Sequence, residues 1–87
     1  MATPKFDYEL LKGLLLEIRP QAVDRLADEN THLFQEGILD SYAIIQLVNL
    51  LEERFGVTIN FQDVKAVNFD TLKTLSSYLN LKFGGGA

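Results

Sequence analysis

In the stretch EGILDSYAIIQLVNLLEERFG, residues 36–56, Ile44, Leu47, Val48, Leu51 and Phe55 recur at steps of three and four. That spacing puts them on one face of a helix, whose buried stripe they form. Gly56, directly after Phe55, suits the left-handed residue that ends a helix at little steric cost, and Val57 is placed to fold back as the accompanying apolar contact. At the other end Asp40 or Ser41 caps, because a carboxylate or a hydroxyl satisfies backbone N–H groups left free in the first turn. Ser41 therefore stands at the mouth of an apolar helix with no catalytic partner beside it. It is either a cap or a place where something is attached.

Upstream, Phe6, Leu10, Leu14 and Ile18, with Leu11 and Leu15 alongside, predict a first helix over about residues 4–18. Thr3 is its expected N-cap, Pro4 suits its first position, and Pro20 drives Arg19 out of helical geometry. Residues 19–40 lack long periodicity. Val23, Leu26, Leu33, Phe34, Ile38 and Leu39 are expected to pin them to the core as an ordered crossing loop, with one helical turn near AVDRLA. Downstream, Asn60 is the expected cap of a short helix over about 61–66, and Asp70 or Thr71 of a last helix carrying Leu72, Leu75, Leu79 and Tyr78. VTI alternates like a strand but has no second strand to pair with, so it reads as an extended loop. The fold class is all-α: a four-helix bundle with three longer helices, one short helix and a long first loop. Residues 1–83 form the domain, and GGGA at 84–87 reads as a flexible Gly-rich tail.

Composition narrows the function. An 87-residue chain that is 47% hydrophobic and 23% charged has one core and a single functional surface, not a second domain or a buried cofactor chamber. The net charge of -4 comes from dispersed acids with no basic stripe, which argues against nucleic acid as a partner. Without cysteine, and with His32 as the lone histidine, no metal site is expected. No apolar run approaches the length of a bilayer crossing, and MATPKFDYEL lacks the order of a signal peptide, so the expectation is a cytoplasmic monomer. As a nucleophile Ser41 would need a base and an orienting group; His32, upstream in the loop, reads as a surface or packing residue, and no catalytic residue is expected. Gly37 alone gives a turn, not a phosphate-cradling nest. A phosphodiester on Ser41 would, however, meet the free N–H groups and positive dipole end of the second helix. Asp40 and Glu36 make the approach acidic and would steer a basic partner.

The stretch LFQEGILDSYAIIQLVNLLEERFGVTI resembles the phosphopantetheine-attachment region of acyl, aminoacyl and peptidyl carrier proteins, in which an Asp-Ser pair and a bulky apolar residue open the second helix. NFDTLKTLSSYL is similar to the start of their last helix, and the likeness spans roughly residues 5–81. The resemblance implies a stand-alone carrier that catalyses nothing. A phosphopantetheinyl transferase would move 4'-phosphopantetheine from coenzyme A onto Ser41, and the terminal thiol would hold cargo as a thioester. An adenylating ligase or acyltransferase would load it, and a downstream synthase or transferase would take it.

Two departures qualify the likeness. Fatty-acid carriers have an acidic second helix, whereas Tyr42, Ala43, Ile45, Gln46 and Asn49 are neutral here, which implies a partner footprint with an apolar centre. Of acyl, aminoacyl and peptidyl cargo, that footprint favours the aminoacyl or peptidyl kind on a dedicated carrier, or a carrier that serves a specialised pathway. Its expected residues are Asp40, Tyr42, Ile45, Gln46, Asn49 and Glu36; in the structural alternative, Tyr42 and Ile45 pack on the loop. Gly37-Ile38-Leu39 is closer to stand-alone carriers loaded by adenylating ligases, including D-alanyl carriers. Phe6, Phe34, Phe55, Phe61 and Phe69 are expected to fill the bundle centre, leaving cargo outside. The rival function is an unmodified helical interaction module that uses the neutral face of the second helix.

Overall fold

The computed structural model describes residues 6–24, 26 and 28–83. Among the described residues four α-helices follow in order: α1 (Tyr8–Ile18), α2 (Ser41–Phe55), α3 (Ala66–Phe69) and α4 (Leu72–Phe83). Short 3-10 turns lie at Pro20–Asp24 and Phe61–Asp63, and no strand occurs among the described residues. α1 packs on both α2 and α4, and α3 packs on α4. The periodic leucines meet in this core: Leu11, Leu15, Leu47, Leu51, Leu75 and Leu79 are fully buried. Burial of each such side chain stabilises the fold by roughly 1.5–3 kcal/mol before chain entropy is counted.

The first helix starts later than its periodicity suggests. Asp7, not Thr3, is the N-cap; its carboxylate accepts from Leu10 N at 2.9 Å. Thr3 and Pro4 lie outside the described residues. Phe6 belongs to the apolar stripe yet is not helical, because its backbone is held by the last helix. Phe6 N donates to Asn80 Oδ1 at 2.9 Å, while Asn80 Nδ2 and Ser76 Oγ donate to Phe6 O. Its ring is buried and meets Phe55 edge-on at 5.0 Å. Arg19 leaves helical geometry at φ -133, as the proline after it requires.

The crossing loop is ordered by the expected apolar pins, except one. Leu26, Leu33, Ile38 and Leu39 are buried and Phe34 is half-buried, whereas Val23 is exposed on the 3-10 turn that Pro20 begins. This turn takes the place of the helical turn expected near AVDRLA. Asn60 makes no side-chain cap bond, and the helix expected over 61–66 is broken in two. The break has a cause: Asp63 O accepts both Lys65 N and Asn68 Nδ2, which turns the chain before α3 can begin at Ala66. Thr71 caps α4, its hydroxyl accepting from Thr74 N at 3.0 Å.

Gly56 adopts φ 65 at the end of α2, and its N–H bonds to Glu52 O. A Cβ there would meet open space, so only backbone strain opposes it. Gly56→Ala should therefore lower stability by about 1–2 kcal/mol, read as a lower urea midpoint with unchanged slope.

Asp63 also ties its turn to α4, accepting from Tyr78 Oη at 2.8 Å with Lys82 Nζ at 3.5 Å. Burial, and then the bond to Asp63, pushes the Tyr78 phenol up from 10.0 to about 12. The folded chain thus keeps a proton that the unfolded chain has lost, so this stabilisation is full below pH 10 and disappears as pH rises through about 12. Denaturant titrations at stepped alkaline pH should show a loss of about 2–3 kcal/mol across that window, absent in Tyr78→Phe.

Candidate functional site: the opening of the second helix

The turn before α2 sets the site. Gly37 takes φ 72, a left-handed backbone that L side chains resist, and its N–H bonds to Phe34 O at 3.1 Å. Ile38 N and Leu39 N both donate to Leu33 O, and Leu33 N donates to Asp70 O at 2.7 Å. The reversal is thereby fastened to the junction of α3 and α4, with Ile38 and Leu39 buried beneath it.

Asp40 follows in extended geometry and is the N-cap of α2. One carboxylate oxygen accepts from Ala43 N at 2.8 Å; the other accepts from Arg19 at 2.5 Å, joining the end of α1 to the start of α2. The Ala43 hydrogen bond, followed by the Arg19 guanidinium, holds the Asp40 carboxyl below the ordinary carboxylate range. Because Asp40 caps, Ser41 does not have to. Ser41 is the first residue of α2, exposed, and its hydroxyl makes no hydrogen bond among the described residues. An anion on that oxygen would stand at the positive end of a 15-residue helix.

Ser41 opens onto an apolar groove of roughly 600 Å³ between α2 and the 61–66 segment. Asp40, Ile44 and Ile45 line it from one side, and Phe61, Val64 and Lys65 from the other. That size falls in the ~300–1,000 Å³ range of sites for drug-sized ligands, to which phosphopantetheine belongs. A free hydroxyl, a helix N-terminus and an open apolar groove beside it suit such an arm.

The other candidate residues divide. Asp40 and Ile45 share the groove with Ser41, whereas Gln46 and Asn49 line a second, more polar groove between α1 and α2 together with Glu17 and Glu53. Glu36 is exposed on the Gly37 turn. Tyr42 and Ile45 are 69% and 57% exposed, so they do not pack down on the loop. His32 Nδ1 lies 3.1 Å from Asp70 Oδ2 and lines no part of the groove around Ser41. Phe61 departs most from expectation: at 89% exposure it fills no part of the bundle centre, which Phe6 and Phe69 occupy with Phe34 and Phe55 half-buried around them. Periodicity could not place Phe61, Val64 and Lys65 beside Ser41, because they sit in the irregular stretch after α2. The only signal was a large aromatic followed by the polar pair Gln62-Asp63.

A helical domain whose long second helix opens at an exposed, unbonded serine beside a groove has the form of a carrier domain. Residues 9–79 match the family described as the phosphopantetheine attachment site, and the chain belongs to that family. Its members bear covalent 4'-phosphopantetheine and carry cargo without catalysing a reaction. The chain is similar to the probable acyl carrier protein PigG of a Serratia species, at 38% identity over 48 residues covering 55% of each chain. It is also similar to the D-alanyl carrier protein of Bacillus velezensis, at 34% over 55 residues, 63% of this chain and 68% of that one. The matched region thus spans about half the length of the first relative and two thirds of the second. Family membership does not favour the unmodified interaction module. It also implies dealings with a modifying transferase and with biosynthetic enzymes. No helix among the described residues is long and apolar enough to cross a membrane.

Proposed function

We propose that Ser41 receives 4'-phosphopantetheine and that the protein is a stand-alone carrier of small acyl or aminoacyl cargo, loaded by an adenylating ligase or acyltransferase and unloaded by a synthase or transferase. The observation that carries the reading is the exposed, unbonded hydroxyl at the first residue of α2 inside a chain of the attachment-site family. In the transfer, Ser41 Oγ attacks the phosphorus next to the pantetheine half of coenzyme A. The new Oγ–P bond replaces the bond to adenosine 3',5'-bisphosphate, and the serine proton goes to a base of the transferase. That base explains why none stands beside Ser41. Once attached, the arm supplies a thiol that holds cargo as a thioester.

This chain's own residues do the positioning. Asp40 fixes the first turn of α2 through Ala43 N and answers to Arg19 across the crossing loop, so the hydroxyl is presented from a rigid element. Tyr42 and Ile45, exposed and apolar, form the proposed centre of the partner footprint, with Asp40, Glu36, Gln46 and Asn49 around it. The similarity to a D-alanyl carrier and a probable acyl carrier supports acyl or aminoacyl cargo. The cytoplasm, where coenzyme A and transferases meet, is the compartment this function implies, and a monomer suffices for it.

Incubation with coenzyme A and a broad-specificity transferase should raise the intact mass by one phosphopantetheine. Subsequent incubation with ATP, small amino or carboxylic acids and a candidate ligase should add a hydroxylamine-labile acyl group. No mass gain with several transferases would return the protein to the interaction-module class.

A further inference from the structure

Asp40 stands next to Ser41 in the chain, and its charge is answered from another helix. One carboxylate oxygen accepts from Ala43 N; the other lies 2.5 Å from Arg19 Nη2, at the far end of the crossing loop. Arg19 is built to hold that grip. Its N–H donates to Leu15 O at 2.8 Å and its carbonyl accepts from Ala22 N at 3.0 Å, so its backbone is fixed between α1 and the turn that Pro20 begins. A guanidinium launched from an anchored backbone loses less freedom on pairing than one on a loose chain. The Arg19 side chain is 26% exposed and that of Asp40 55%, so the acid is the member of the pair that an approaching protein meets first.

The pair alters what surrounds Ser41. In the chain alone, the approach to the serine is acidic at Asp40 and Glu36. Folding sets a cation from 21 residues upstream against the first of these acids. Coenzyme A carries a pyrophosphate and a 3'-phosphate, so an enzyme that holds it presents cations around the serine it modifies. Asp40 attracts such cations and Arg19 repels them.

We propose that Arg19 is a specificity-determining residue for attachment: it occupies the outer oxygen of Asp40, and the transferase must compete with its guanidinium to use that carboxylate as a handle beside Ser41. This rests on the attachment reading and deepens it. Arg19 acts through Asp40 and touches no reacting atom, so it is a positioning residue. Its consequence is a raised KM for the carrier, with the transfer step itself unchanged.

The test measures initial rates of conversion against carrier concentration at saturating coenzyme A, with the broad-specificity transferase. Intact mass and peptide mapping first establish a single adduct on Ser41, so a failure of attachment is separated from a failure of this inference. Arg19→Gln removes the charge and keeps an amide that can donate to Asp40. It should lower KM by about two- to fivefold, the size of one exposed ion-pair contact, with kcat unchanged. Arg19→Lys, which keeps the charge, should match the unmutated chain, and Asp40→Asn, which keeps a capping oxygen, should raise KM. At about 1 M salt, where the screening length is about 3 Å, the KM values of Arg19→Gln and the unmutated chain should converge. A pair that served only to tie α1 to α2 would give the opposite sign, with Arg19→Gln melting lower and converting more slowly. A KM for Arg19→Gln equal to or above the unmutated value, or a KM for Asp40→Asn that does not rise, overturns the proposal. If Arg19→Gln does not fold, nitrogen-15-labelled Ser41→Ala is titrated with the transferase and coenzyme A: the Arg19 Nε–H resonance should shift on binding, and no shift at saturation overturns the proposal.

Discussion

Ser41→Ala should gain no mass in the presence of coenzyme A and transferase, under conditions that convert the unmutated protein completely, and its melting temperature should stay within about 4 °C of the unmutated value. The second half of that expectation follows from the capping geometry. Asp40, not Ser41, satisfies Ala43 N, and the Ser41 hydroxyl makes no bond whose loss would be felt. An exposed substitution away from caps and packing usually stays within about 0.5 kcal/mol. The first half follows from the placement of the other serines, Ser76 and Ser77. Ser76 is half-buried and donates to Phe6 O, so freeing it would break the link between the chain start and α4. Ser77 is exposed but stands inside α4, away from any helix N-terminus. Neither should replace Ser41, and Ser77→Ala should convert as the unmutated protein does.

Leu47→Ala should have the largest effect on the fold. Leu47 is fully buried on the face that α2 turns to the core. Truncation there costs roughly 2–5 kcal/mol, the lost transfer energy plus the cavity left behind. A domain this small has only about 5–15 kcal/mol in total, so the melting temperature should fall by roughly 10 °C or more. Ile45→Ala, two residues away on the exposed side, is the matched control and should move stability by no more than about 0.5 kcal/mol. If the two variants melted alike, the assignment of faces on α2 would be wrong.

Much of this was legible where local chemistry decides the outcome. The stripe of α2 and its Gly56 stop are local facts fixed by spacing, and the cap was narrowed to Asp40 or Ser41, of which Asp40 reaches Ala43 N. The start of α1 was not legible, because Phe6 fits the helical stripe and is withdrawn from the helix by Asn80 and Ser76, more than 70 residues away. A periodicity reading has no access to such a contact. The same limit explains the 61–66 segment, where Asp63 is claimed by Tyr78 and Lys82 on another helix and the chain breaks into a 3-10 turn and α3. Phe61 was misplaced for that reason: counted as core by its chemistry, it is held outward by an anchor that the sequence does not display. Of the site, Ser41 and its neighbours Asp40 and Ile45 were named from a single helix, whereas the groove they border was not. The opposite wall required the fold.

The most direct test of the central claim is tandem mass spectrometry on peptides of the converted protein. The expected result is a single phosphopantetheine on the peptide that contains Asp40 and Ser41, with the fragment series placing it on the Ser41 side chain. An adduct on Ser76, Ser77 or a threonine, or none after treatment with several transferases, would contradict it.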